Sequence, residues 1–285
     1  SGGTEANNLL LKGHCTEQNA KRIAISAIEH MSMLEPAAEC GCEVDLIAVD
    51  GEGLVTSDCL EQTIKEDTSL VSVMSANNET GVLQDIKTLA NLAREKGIWF
   101  HTDASQAVGK VDISFTQSGV HAMTLSAHKI YGPMGAGALI LDKQLPLCSL
   151  LQGGTQEKGL RAGTENVPAI AGFGAAAELA KNELLQRADH VRVLRDTLET
   201  RLQAFDSVAI FSQNSERLPN TLQFGTRGFD GETLLMQLDR RGFAVSSGSA
   251  CTSGKAEPSH VLKAMAVSVE LATSAVRVSF GKDNV

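Results

Sequence analysis

Six short runs of apolar and β-branched residues, at positions 22–27, 44–49, 70–75, 98–103, 122–126 and 137–141, constrain this chain more than any other feature. Segments of helical period lie between them. Ile86, Leu89, Ala90 and Ala93 recur at i, i+3, i+4 and i+7, one face of a helix starting near Asp85. Thr56-Ser57-Asp58 offers an N-cap for a helix running to Lys65, and Asp50-Gly51-Glu52-Gly53 reads as a turn. Such alternation implies a layered α/β fold around a largely parallel sheet, with ligands expected at the C-terminal ends of its strands.

The pattern changes after about residue 175. A long helix follows, with Val191, Leu194, Leu198, Leu202 and Phe205 on one stripe. Short strands at 208–211 and 221–224, a helix carrying Leu234, Leu235 and Leu238, and a last strand at 275–279 complete the reading. We expect a large domain over 1–183 and a smaller α+β domain over 184–285, with no internal repeat or low-complexity linker between them.

Bulk properties exclude several function classes. The chain of 285 residues, 42% hydrophobic and 21% charged, has the make-up of a soluble globular protein. A formal net charge of −9 argues against nucleic-acid and membrane-surface partners, which need a basic face. The longest uncharged apolar stretch, from Val167 to Ala177, falls short of the about 20 residues that span a bilayer. No signal peptide is visible, and the cysteines at 15, 40, 42, 59, 148 and 251 have no framework spacing. They read as reduced thiols of a cytoplasmic protein. Cys40-Gly41-Cys42 could seed a metal site, but no second pair follows at finger spacing, so both are read as incidental thiols and no metal is expected.

Three polar clusters fall where strands end or a helix begins. Ser1-Gly2-Gly3-Thr4-Glu5 opens a helix, where glycines admit an anion to the free N–H groups. His101-Thr102-Asp103-Ala104-Ser105-Gln106 ends a strand on an Asp that burial would penalise without a cation or donor, and a pyridinium nitrogen is such a partner. Ser126-Ala127-His128-Lys129 leaves another strand end before Gly132-Pro133, a setting in which a partly desolvated lysine suits Schiff-base chemistry. Each cluster alone admits a plain loop or cap. His14, His121, His190 and His260 have no companion motif and read as exposed or satisfied, and His101 is left as either a support for Asp103 or a bystander.

One thiol stands apart. Cys251 sits in Ser247-Gly248-Ser249-Ala250-Cys251-Thr252-Ser253, among residues too small to pack around it. An exposed thiol on such a loop suits a swinging nucleophile rather than a structural cysteine. By itself the loop also allows a redox sensor or a protease-like nucleophile.

Taken in order, Ser1-Gly2-Gly3-Thr4-Glu5, Glu29-His30, Asn77-Asn78-Glu79-Thr80-Gly81, Asp103-Ala104-Ser105-Gln106, Ser126-Ala127-His128-Lys129, Arg161-Ala162-Gly163-Thr164 and the Cys251 loop resemble cysteine desulfurases of the NifS/IscS type. These are class V aminotransferase-like enzymes with the fold-type-I architecture of pyridoxal-phosphate transferases. The resemblance covers essentially the whole chain. It implies pyridoxal 5'-phosphate as cofactor, with Lys129 as its Schiff-base lysine and Asp103 on the pyridinium nitrogen. It implies Gln106 and Asn78 on the phenolic-oxygen side, with Asn78 also near the substrate, and His30 stacked on the ring and assisting proton transfer. Gly3, Thr4, Ser126 and His128 would hold the phosphate, completed by Thr164 in the neighbouring subunit of a homodimer. Arg277 would grip the substrate carboxylate through its bidentate fork. Arg161 is left between a site role and an interface role.

The implied reaction converts L-cysteine to L-alanine. Lys129 takes the α-proton, and Cys251, as thiolate, accepts the sulfur as a persulfide for an acceptor such as an iron–sulfur cluster scaffold. Selenocysteine lyase is the nearest rival, an aminotransferase a more distant one, and a non-catalytic sulfur-carrier fragment the alternative of another class. The last is kept because the family carries a segment before the residue matching Ser1 and further helices after the one matching Arg277, so an incomplete chain is expected.

Overall fold

A computed structural model describes residues 1–247 and 258–285 of the chain, which divide into two compact units. The first comprises Ser1–Ala48, Val55–Ser75 and Gln84–Glu183. In chain order its elements are α1 (Gly3–Gln18), β1 (Arg22–Ser26), α2 (Met31–Ala38), β2 (Glu43–Ile47), α3 (Ser57–Thr63), β3 (Thr68–Ser72), α4 (Ile86–Glu95), β4 (Trp99–Asp103), α5 (Phe115–Ser118), β5 (Ala122–Ser126), β6 (Gly137–Leu141) and α6 (Val167–Asn182). The sheet order is β2-β1-β3-β4-β5-β6, parallel throughout except for the antiparallel β5–β6 pair.

Local chemistry sets most of these elements. Asp85 caps α4 by accepting from the Thr88 amide at 3.1 Å, and the stripe of Ile86, Leu89, Ala90 and Ala93 is buried. Thr56 caps α3 through the Cys59 amide, but that helix stops at Thr63 rather than Lys65 because Ile64 is extended. Residues 73–75 lie past the end of β3 yet still follow its neighbour: Val73 and Ser75 donate to the carbonyls of His101 and Asp103. Leu10 and Leu11 of α1, Met33 of α2 and strand residues Ile23, Ile25 and Phe100 are fully buried and form the apolar interior of this unit.

One segment the sequence reading left unassigned and one it extended too far are settled by the structure. The apolar stretch from Val167 is a helix, capped by Asn166 and admitting Pro168 in its first turn, where no intrahelical N–H is required. No helix among the described residues is long and apolar enough to cross a membrane. The following helix, α7 (Leu184–Leu202), ends before Phe205, which is exposed. Ala204 and Phe205 bond back to the third preceding residue, which turns the chain out of the helix.

The second unit comprises Val49–Leu54, Ala76–Leu83 and Leu184–Val285. After α7 it contains β7 (Val208–Ile210), β8 (Thr221–Thr226), α8 (Gly231–Arg240), β9 (Ser246–Ser247), α9 (His260–Ala264), α10 (Val269–Thr273) and β10 (Val276–Ser279). Its antiparallel sheet has the order β7-β8-β10-β9. The two early segments are stitched in by main-chain bonds from Leu83 to Glu216 and from Leu218 to Gly81, and by Ser212 Oγ on the Glu52 carbonyl. No contiguous reading of the sequence could assign them here.

Candidate active site

In the first unit the register of the sheet gathers the polar strand ends. Asp103 pairs with Thr124, which puts Ser126 two residues further along the adjacent strand. Asp103 is only 6% exposed, and two neutral donors hold it: Asn7 Nδ2 reaches Oδ2 at 2.8 Å and the Ser105 amide reaches Oδ1 at 2.9 Å. A buried carboxylate held by neutral donors is suited to a cationic ligand.

Asn7 extends this brace to His30. Its Nδ2 also donates to Ser32 Oγ at 2.9 Å, and that hydroxyl lies 2.8 Å from His30 Nδ1. The Ser32 amide donates to the same Nδ1, which makes His30 the cap of α2. Because Nδ1 accepts, the neutral imidazole carries its proton on Nε2. Asn7 had no signal in the sequence beyond its place in the first helix.

The start of α1 approaches the ends of β5 and β6 closely. A Cβ at Gly3 would come within 3.1 Å of Ser105 Oγ, and one at Gly137 within 2.6 Å of Gly2 Cα. The first intrahelical bond runs from the Ala6 amide to the Gly2 carbonyl, so the amides of Gly3, Thr4 and Glu5 precede the ladder and face outward as donors. Ser105 Oγ is buried with no hydrogen-bond partner. Thr4 and His30 also line a cleft of about 360 Å³ between α1 and α2.

Ser126 Oγ sits 3.0 Å from His128 Nδ1 in the short 3-10 turn Ala127–Ile130, which carries Lys129 at the surface. Partial burial and the neighbouring Lys129 charge lower the pKa of His128. The turn closes through Tyr131 in a left-handed conformation, and Gly132 then passes so near the Ala127 carbonyl that a Cβ would lie 2.9 Å from it. Gln106 accepts from Lys110 Nζ through Oε1 at 3.0 Å, which orients the amide so that Nε2 is its donor for an oxyanion. Thr164 is exposed on the loop after Gly163. Arg161, left open by the sequence, donates through Nε to Glu5 in the first turn of α1 at 2.8 Å and holds that carboxyl down at about 2.

Behind Asp103 lies a buried polar layer. His101 bridges Ser72 Oγ and Thr124 Oγ1 at 2.9 and 3.0 Å, and burial pushes its pKa down to about 4. Glu29 is fully buried, and burial together with the Asp103 charge raises its carboxyl well above the usual range. The two carboxyls thus lie in one charge environment. The Glu29-His30 motif marked the position but not this role.

The second unit holds the remaining candidates. Arg277 on β10 donates through Nη1 to the Asn78 carbonyl at 2.9 Å, while its Nε is buried with no hydrogen-bond partner. The Asn77 side chain accepts from the amides of Glu79 and Thr80, which fixes the turn carrying Asn78. Gly81 is left-handed there, at φ 81°. Glu79 is buried against Ser259 Oγ at 2.5 Å, and desolvation raises its carboxyl. Cys251 lies outside the described residues. The chain enters that segment from Ser247, which pairs with Val276, with Ser246 opposite Arg277.

The first unit fits pyridoxal 5'-phosphate on its own features: the neutrally braced Asp103, the tight glycine contacts at Gly3 and Gly137, and the helix-start donors beside the orphaned Ser105 hydroxyl. The chain matches the aminotransferase class-V family over residues 1–285 and belongs to it, a family of pyridoxal-phosphate-dependent enzymes. Within it, the chain is 42% identical to the cysteine desulfurase IscS of Dictyoglomus turgidum over 99% of its own length and 73% of that relative. It is likewise 42% identical to a cysteine desulfurase of Gluconacetobacter diazotrophicus, covering 100% of this chain and 72% of the relative. Among solved structures, the NifS-like protein of Rickettsia africae superposes with a TM-score of 0.90 at 36% identity, over 100% of this chain and 76% of that one.

Proposed function

We propose that this chain is a pyridoxal-phosphate-dependent cysteine desulfurase, converting L-cysteine to L-alanine with sulfur passed to Cys251. The observation that carries the reading is the buried Asp103, braced by Asn7 beside the Ser126-Ala127-His128-Lys129 turn. The family match and the cysteine desulfurases among its relatives support it. The cofactor's contribution, when bound, is to accept the electron pair released at the substrate α-carbon.

The residues divide the remaining work. The amides of Gly3 and Thr4, with Ser126 and His128, hold the phosphate, and Asp103 keeps the ring nitrogen protonated. Gln106 and Asn78 donate to the phenolic oxygen. Lys129 anchors the cofactor and then takes the α-proton of bound cysteine at Nζ. His30, with Nδ1 committed to the Ser32 amide, relays protons through Nε2. Arg277 receives the substrate carboxylate as a bidentate partner, and its unsatisfied Nε matches that need. Cys251 Sγ, as thiolate, bonds the substrate sulfur as the bond to Cβ breaks, leaving a persulfide on the protein and alanine after proton return. Cysteine over selenocysteine is the reading we adopt on the Cys251 loop.

Three finer assignments belong to the same proposal. We assign a cytoplasmic homodimer in which Thr164 completes the partner's phosphate site. Exposed apolar residues of the first unit, Val167, Ile170, Tyr131 and Met134, supply a surface for a second copy. The sulfur passes to an iron–sulfur scaffold protein.

The test is direct. The chain, incubated with pyridoxal phosphate and L-cysteine, should release alanine and carry a persulfide on Cys251 by peptide mass spectrometry. Lys129→Ala should lose the visible Schiff-base absorbance. Alanine release with no label on Cys251, or unchanged turnover in Cys251→Ala, would overturn the sulfur-transfer role in favour of a lyase or aminotransferase.

A further inference from the structure

Three cysteines distant in sequence meet in the first unit. Cys15 lies in the last turn but one of α1, and Cys40 and Cys42 flank Gly41 between α2 and β2. The Cys42 sulfur is 3.0 Å from that of Cys40 and 3.5 Å from that of Cys15, and all three lie within 4.8 Å of one another. Gly41 is left-handed, at φ 80°, a conformation strained for any residue with a Cβ. That turn curls the C-x-C segment so that both of its thiols converge on Cys15. The sequence left Cys40 and Cys42 as incidental thiols because spacing along the chain could not show the approach of Cys15.

The three sulfurs share an apolar bed that is open on one side. The sulfurs rest on an apolar bed that includes Leu11, Ile23, Met33 and Leu70. Cys15 is buried, whereas Cys40 and Cys42 are half-buried, so the cluster opens on one side. The C-terminal ends of α1 and α2 approach it, and helix C-termini disfavour bare thiolates. An ion about 2.3 Å from each sulfur separates its thiolates by about 4 Å. The two shorter spacings fall within about 1 Å of that value and the third stays below 4.8 Å, so small rotations about the cysteine side chains would close the site.

We propose that Cys15, Cys40 and Cys42 form a trithiolate site for Zn(II). Binding releases three protons to solvent and leaves a net charge of −1 on the cluster. A monovalent soft ion would leave −2, the costlier outcome on an apolar bed. The fourth position falls on the open side and takes water. The ion ties the far ends of α1 and α2, the two helices whose starts present Thr4 and His30, so the site is structural.

The full chain, loaded with pyridoxal phosphate and reduced anaerobically, is incubated with zinc sulfate and desalted before its metal content is measured. One zinc retained per chain is expected, together with protection of Cys40 and Cys42 from alkylation while Cys59 still reacts. Cys42→Ser should weaken zinc binding by at least about 10–100-fold, the loss usual for even an outer partner of a metal site, and Cys59→Ser should not. No retained zinc, equal retention by Cys42→Ser, or unaltered alkylation of wild-type Cys40 and Cys42 overturns the site. So does a disulfide joining two of the three thiols in glutathione buffer that excludes the metal. The alkylation comparison uses only the wild-type chain, so a folding defect in a variant cannot obscure the result.

Discussion

Asn7 makes a bridge whose loss can be sized from the structure. Asn7→Ala deletes a fully buried amide that donates to the Asp103 carboxylate at 2.8 Å and to Ser32 Oγ at 2.9 Å. The first bond is worth about 1.5–3 kcal/mol and the second about 1 kcal/mol. Against this, Asn7 Oδ1 is buried without a partner, and removing it recovers about 1–2 kcal/mol of desolvation cost. The net loss is about 2 kcal/mol, roughly a 30-fold fall in the folded-to-unfolded ratio. Urea denaturation of the cofactor-free chain would measure it. The same variant releases both Asp103 and the Ser32–His30 pair, so cofactor affinity should fall as well, by about tenfold for each 1.4 kcal/mol of bracing lost. A double-mutant cycle with Ser32→Ala should give a non-zero coupling. An Asn7→Ala chain with wild-type stability and wild-type cofactor affinity would refute the view that this amide holds the aspartate.

Two further outcomes follow from the same structure. His14 is buried, bonded through Nε2 to Ser69 Oγ, and burial lowers its pKa from 6.5 to about 4. The unfolded chain therefore takes up a proton that the folded chain refuses. The contribution is fully present above pH 6.5 and is lost as pH falls toward 4, on the order of 3 kcal/mol. Urea midpoints of His14→Gln should show a shallower acid slope, and an identical slope would count against the assignment. Gly137→Ala would place a Cβ 2.6 Å from Gly2 Cα, a main-chain contact that cannot yield cheaply. It should cost about 1–3 kcal/mol and weaken cofactor binding by shifting the start of α1, whereas wild-type binding would separate that glycine pair from the phosphate site.

Much of this protein is legible in its sequence because the signals are local. The stripe Ile86, Leu89, Ala90 and Ala93 made a buried helix face, since side chains three and four apart share a side wherever the helix packs. Asp103 and Ser126 stood at strand ends because apolar runs stop where the chain leaves the sheet. The helical stripe through Phe205 failed for an equally local reason, since the chain leaves the helix after Leu202 and no residue type there announces the exit.

The sequence by itself determined the α/β class, the order of the polar clusters, and the family to which they point. Only the tertiary structure decided that Asn7 joins Asp103 to His30, and that Glu29 shares the charge environment of Asp103. It also decided that Val49–Leu54 and Ala76–Leu83 belong with the second unit, and that Cys15 meets Cys40 and Cys42. The physical reason is the same in each case. Periodicity and capping act within a few residues, whereas these contacts depend on strand register and on how whole helices pack, which no short stretch of chain encodes.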